Sequence, residues 1–234
     1  MSNQRKTVGI IGGMGPMATA DLIYNIISQT NAQKDGEHVH VIVDNDGTVP
    51  DRTAAILHGG EDPLPKLCEM AKRLEAMGAD MLVMPCNTAH YFHGGVSAAV
   101  SVPVVNMLDE TARYLSEKGA KEALLLATDG TVQTGIYEKY LSKYGIQIRY
   151  LPAEGQARVM SLIYDCIKAG KYDFDVDALK ADLRAAGAEN MPVILGCTEL
   201  PIAFRVFNIT DFDAVDPSMV VARALVIASG AEVK

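Results

Sequence analysis

Short apolar runs alternate along this chain with stretches of helical periodicity, and few folds accept such an alternation. Residues 7–11, 39–43, 81–84 and 102–105 read as strands, with helices over 17–30 and 64–77 and within 89–100. The second half repeats the plan, with strands over 123–127, 146–150 and 193–195 and helices over 135–144, 157–169 and 177–186. Strands separated by helices build parallel sheets covered on both faces. In each half roughly seventy residues lie between the end of the first strand and a cysteine that closes a later one. The expected fold is therefore α/β: two similar parallel-sheet domains related by a pseudo-twofold, with the active site in the cleft between them. The expected domains are 1–106 plus 211–234, and 107–210, the last helix (216–230) returning to the first half. A chain of 234 residues is long enough for this.

Cys86 and Cys197 are those two strand-ending cysteines. Met81-Leu82-Val83-Met84 runs into Pro85-Cys86, then Asn87-Thr88, both good helix N-cap residues. Val193-Ile194-Leu195 runs through Gly196 into Cys197-Thr198. Parallel α/β sheets place their chemistry at the carboxyl ends of the strands, and the partial positive charge of a helix N-terminus favours thiolate over thiol. Cys68 and Cys166 sit instead in apolar helical patterns and read as core. With no convincing export signal, four reduced thiols are expected.

Composition excludes several classes. A net charge of −8 counts against nucleic acid and anionic membrane as partners, and no apolar run reaches the roughly 18 residues of a membrane span. Residues 8–20 end in Ala-Thr-Ala and superficially resemble a signal peptide, yet they contain four glycines and a proline and fit strand, loop and helix. A cytoplasmic location is expected.

Gly13-Met14-Gly15-Pro16-Met17-Ala18 satisfies the dinucleotide fingerprint G-x-G-x-x-A. The acidic residue expected about twenty positions on is not clearly placed, Asp44 at the end of the second strand coming too late, so a glycine-rich loop that lets backbone amides approach a small anion is the better reading. Cys86, His90 and His93 suggest zinc, but no second close Cys/His pair follows and Cys197 precedes Glu199, so no metal is expected. A Cys86–His90 hydrolase leaves Cys197 unexplained. Two opposed thiols explain each other in one reaction: a thiolate takes a proton from one face of a stereocentre while a thiol returns one to the other. Asn87, Thr88 and Thr198 are suitable donors to the carboxylate on which charge then develops.

The motifs GIIGGMGPMAT (Gly9–Thr19), PDRT (Pro50–Thr53), MPCNTAH (Met84–His90), LATDGT (Leu126–Thr131) and GCTEL (Gly196–Leu200) span nearly the whole chain. In them the sequence resembles the cofactor-independent aspartate/glutamate racemases. The resemblance implies two α/β domains, no pyridoxal phosphate or other cofactor, and a homodimer. It makes Cys86 and Cys197 the acid/base thiols, Arg52 and Lys168 the partners of the substrate's distal carboxylate, and Thr131 a further substrate-binding residue. Gly12-Gly13 where the glutamate enzymes carry Asp-Ser, and Glu199 where they carry His, point to the aspartate branch. By themselves Arg52 reads as a solvated loop charge and Lys168 as a lysine stabilising a helix C-terminus; the role of Glu199 stays open between proton transfer and helix capping. The alternatives are a racemase for glutamate or another amino acid, and a protein that binds an acidic amino acid without chemistry.

Overall fold

The computed structural model describes residues 5–234; the four residues before them, which open the first expected domain, lie outside the described residues. Strand β1 (Val8–Gly12) leads through a glycine-rich loop into α1 (Pro16–Gln29). There follow β2 (Val41–Asn45), α2 (Arg52–Leu57), α3 (Leu64–Ala76), β3 (Met81–Val83), α4 (His93–Ala98), β4 (Val104–Val105) and α5 (Met107–Glu117). Next come β5 (Glu122–Ala127), α6 (Asp129–Thr134), α7 (Ile136–Leu141), β6 (Gln147–Arg149) and α8 (Ala153–Ser161), which runs on as a π-helix over Leu162–Lys168. The chain closes with α9 (Val176–Ala185), β7 (Val193–Gly196), α10 (Glu199–Val206), β8 (Ala214–Val215) and α11 (Pro217–Ala228).

Two compact units result. One runs to Glu110 and takes back Ser218–Lys234; the other is Thr111–Pro217. Each contains one four-stranded, wholly parallel sheet, ordered β2-β1-β3-β4 in the first and β6-β5-β7-β8 in the second. The first strand of each unit is interior and buried, which is why Val8-Gly9-Ile10-Ile11 and Ala123-Leu124-Leu125-Leu126 are apolar on both faces. In the first unit α3 lays Leu67, Met70, Ala71 and Leu74 on the core, the three- and four-residue spacing of one helix face. Burying each leucine-sized chain contributes about 2–3 kcal/mol. In α11, Ser218 receives a hydrogen bond from Asn25 Nδ2 (3.4 Å), and Gln29 Nε2 donates to Met219 O (2.7 Å), tying the returning helix to α1. In the second unit Cys166 lies in the core with Leu162, Ile163 and Leu195. Cys68 is half-buried and reaches Gly95 O at 3.7 Å.

Helices α2, α5 and α10 stand where the sequence reading assigns none. Helix α5 is opened by Asn106, whose Oδ1 accepts the N–H groups of Leu108 and Asp109 at 3.0 Å each. Helix α10 begins at Glu199 and accommodates Pro201 in its first turn, where no intrahelical N–H is required. Between the expected strand 123–127 and the expected helix 135–144 stands a further short helix, α6, with Thr128 as its cap.

The glycine-rich loop owes its composition to a close approach. Gly13 has φ +94°, and a Cβ there would stand 2.0 Å from Asp46 O. Gly13→Ala must strain the backbone and push the loop from Asp46. A loss of about 2–4 kcal/mol is expected, read as a lower urea midpoint at unchanged slope; an unchanged midpoint would mean the approach is not kept in solution.

Candidate active site

In the first unit the chain turns sharply at Pro85, with Cys86 N–H bonded to Met84 O at 2.8 Å. Cys86 is 6% exposed. A five-residue 3-10 helix, Thr88–Phe92, then leads into α4, so the expected single helix is two short pieces, and Asn87 occupies the cap position without capping through its side chain. Asn87 and Thr88 are both buried beside the thiol in sequence.

His90 fixes this turn. Its Nε2 lies 3.0 Å from the N–H of Met107 and accepts from it. The other nitrogen, Nδ1, must then carry the proton and donate to Cys86 O at 2.9 Å. Burial, opposed by that bond, lowers the His90 pKa to about 4. The ring stacks on His93 at 5.7 Å, and His93 Nε2 contacts Val104 O at 2.9 Å. Backbone groups thus occupy both nitrogens of His90, which serves neither as base to Cys86 nor as a metal ligand with it. Among the described residues no group of three or more His, Cys, Asp or Glu side chains is arranged to hold a metal ion.

Arg52 departs from its sequence reading as a solvated loop charge. Asp51 caps α2 by accepting from Ala54 N at 2.8 Å, and Arg52 is the first residue of that helix. Its guanidinium is 8% exposed and donates to Pro50 O (2.9 Å) and Val49 O (3.2 Å). The loop before it is braced at Asp46, whose carboxyl is held well below the usual range by Lys66 at 2.7 Å and then by Thr48. Helix α2 packs against the 3-10 helix that follows Cys86, so Arg52 and Cys86 belong to adjoining elements.

In the second unit Ala127 pairs with Gly196, which brings the ends of β5 and β7 level. Thr128 and Cys197 follow directly. Thr131 is fully buried in α6, and its hydroxyl accepts from Thr128 Oγ1 at 3.3 Å. Gln156 Nε2 braces the start of α6 by donating to Ala127 O (3.0 Å) and Asp129 Oδ1 (2.8 Å). Cys197 is 8% exposed, and its thiol donates to Glu199 Oε2 at 2.9 Å. Thr198 Oγ1 donates to the same oxygen at 3.4 Å. Lys168, the last residue of the π-helix, places Nζ 4.0 Å from Glu199 Oε1 and 4.3 Å from the Tyr164 ring centroid. Burial raises the Cys197 pKa well above that of an ordinary thiol; Glu199 adds to the rise and Lys168 opposes it. Sequence reasoning named Cys197, Thr198 and Lys168 but assigned nothing to Tyr164, which stands four residues before Lys168, the spacing of one helix face.

A family model described as Asp/Glu/Hydantoin racemase matches residues 11–225. The chain is 29% identical over 199 residues to the Broad specificity amino-acid racemase RacX of Bacillus subtilis (strain 168), covering 82% of this chain and 85% of that one. Picrophilus torridus aspartate racemase superposes with a TM-score of 0.82 at 33% identity, over 98% of this chain and 96% of that chain. A glutamate racemase from Francisella tularensis, solved with D-glutamate, has the same fold at TM-score 0.65 and 20% identity, over 95% and 80% of the two chains.

The buried neutral His90 gives stability a pH dependence. The unfolded histidine titrates near 6.5 and the folded one at about 4. The unfolded state therefore binds the extra proton in that window, and stability is full above it and falls as pH drops through it. From about pH 7 to about pH 5 this one group should cost on the order of 2 kcal/mol. Urea midpoints across that range check it, and His90→Gln should flatten the slope; an equal slope in the variant would assign the loss to other groups.

Proposed function

Because the chain belongs to the Asp/Glu/hydantoin racemase family, we propose that it inverts the Cα stereocentre of aspartate by proton transfer between Cys86 and Cys197, with no cofactor. The observation that carries this reading is a correspondence between the units. Each sheet has the same strand order, and the third strand of each order, β3 or β7, is followed by a buried free cysteine.

In the reaction one cysteine, as thiolate, takes the Cα proton, and the other, as thiol, donates to the opposite face. The two sulfurs exchange protonation states, so the enzyme after one inversion is ready for the reverse. The Cα–H of an amino acid is a very weak acid, and the carboxylate must be stabilised as it gains enolate character. Asn87, Thr88, Thr131 and Thr198 supply that environment in this reading. Arg52 and Lys168 bind the distal carboxylate. The Picrophilus torridus relative, by its name an aspartate racemase, supports the choice of aspartate. The Bacillus subtilis relative, by its name of broad specificity, favours a second reading in which other side chains are also accepted. One methylene is a weak discriminator in either case.

A chiral separation of products from L- and D-aspartate, without added pyridoxal phosphate or metal, tests the activity directly. Replacing either cysteine by alanine should abolish inversion in both directions. Each variant should still eliminate a leaving group on Cβ from one enantiomer, Cys86→Ala from one and Cys197→Ala from the other, because elimination needs only one base. If both variants eliminate from the same enantiomer, the thiols do not flank Cα.

Charge-assisted hydrogen bonds contribute about 1.5–3 kcal/mol each. Arg52→Ala should therefore lower kcat/KM on aspartate about tenfold to a hundredfold, with alanine turnover, if present, nearly unchanged. Equal losses on both substrates would return Arg52 to a purely structural part in bracing Val49 and Pro50.

A further inference from the structure

The two thiols have different surroundings. Cys86 has a neutral imidazole bonded to its carbonyl, and the sulfur is not what that ring touches. Cys197 has a carboxylate oxygen 2.9 Å from its sulfur. We propose that Glu199 is the positioning residue that keeps Cys197 protonated in the unliganded enzyme, so that Cys197 is the acid of the opening turnover and Cys86 its base. The assignment of turnover roles rests on the racemase reading above; the protonation of Cys197 does not.

The charged and titratable groups that face Cys197 come from three elements. Helix α10 presents Glu199, with Oε2 on the thiol. The π-helix presents Lys168, whose Nζ is 4.0 Å from Oε1, the oxygen turned away from the sulfur. Helix α7 presents Tyr137, a fully buried phenol that burial holds protonated and that hydrogen-bonds Thr111. The carboxylate therefore stands between cation and thiol. It accepts the S–H proton, and that bond exists only while the sulfur is protonated. Ionising Cys197 would break the bond and set a thiolate against a carboxylate oxygen, a repulsion that Lys168 offsets only in part. Thr198, donating to the same Oε2, keeps that oxygen aimed at the sulfur.

The step is balanced as follows. Cys86 takes the Cα proton, the Cys197 S–H bond breaks, and a Cα–H bond forms on the other face. A Cys197 thiolate is left beside Glu199. That thiolate is a strong base, suited to removing the Cα proton of the product in the reverse direction, or it regains a proton from water while Cys86 releases its own to water, which restores the opening state.

Racemisation itself has an equilibrium constant of one, so its kcat/KM cannot differ between enantiomers; the test must read protonation or an irreversible reaction. In a chain with Cys68, Cys86 and Cys166 replaced by alanine, the ultraviolet absorbance of the thiolate reports Cys197 alone. Glu199→Gln should bring the thiolate in at lower pH, with at least about tenfold more of it near neutrality. Glu199→Asp, which keeps the charge, should stay near the parent, and Lys168→Met should move the titration the opposite way. With all cysteines present, Glu199→Gln should shift the ratio of Cβ elimination toward the enantiomer that Cys86→Ala retains. Superimposable titrations for parent and Glu199→Gln would overturn the proposal. If Glu199→Gln does not fold, the Lys168→Met titration decides, and no movement there overturns it equally. A single-cysteine chain that titrates as expected, beside an enzyme with all cysteines present that does not racemise aspartate, would sink the function proposed above and leave the Glu199–Cys197 pairing standing.

Discussion

The parallel pairing of buried strands is the constraint on which the rest of this molecule depends. A parallel ladder needs a crossover between partners, and the crossover helices bury both faces of the sheet. Next to the sheet itself, polar chemistry is left to the strand ends. In the second unit the pairing of Ala127 with Gly196 brings Thr128 and Cys197 to one level. In the first, β3 ends at Val83, and Pro85 turns the chain so that the cysteine follows at the carboxyl edge. The thiols are buried because the strands that deliver them are buried, not because of local polarity.

From that common plan the units diverge in electrostatics. The first places next to its cysteine a neutral imidazole that bridges Cys86 O to Met107 N, and on an adjoining helix an arginine held by the carbonyls of Val49 and Pro50. The second surrounds its cysteine with full charges, Glu199 against the sulfur and Lys168 beyond it. A repeated fold thus carries two unlike environments. A reaction that needs a base on one face and an acid on the other is served by such a difference.

Much of the fold was legible because strand and helix periods differ so plainly. The apolar runs at Val8–Gly12, Glu122–Ala127 and Val193–Gly196 announced interior strands, and the spacing of Leu67, Met70, Ala71 and Leu74 announced a helix. What escaped had physical reasons. Strand β8 is two residues long and carries almost no pattern. Helix α5 begins one residue after β4, so its apolar face of Met107, Leu108, Ala112 and Leu115 runs on from the strand without a break, and α10 carries a proline that reads as a breaker until its first-turn position is known. The cysteines were readable as strand ends. The burial of Arg52 was not, because a short polar stretch gives no sign that a capped six-residue helix begins at it. The contact between Cys197 and Glu199 was open to sequence only as adjacency, since whether an acidic side chain two residues on turns back to the sulfur depends on where the helix begins.

The π-helix over Leu162–Lys168 adds a form of adjustability. A π turn closes on the fifth residue rather than the fourth, so the side chains that follow it face differently from those an α-helix would carry on. Each residue of an α-helix turns the side chain by about a quarter of a revolution. Loss of one residue between 162 and 168 would therefore swing Lys168 away from Glu199 while β7 and its cysteine stayed in place. The distance between cation and thiol is set here by a count of residues, and lineages that share the sheet can retune it by insertion or deletion alone.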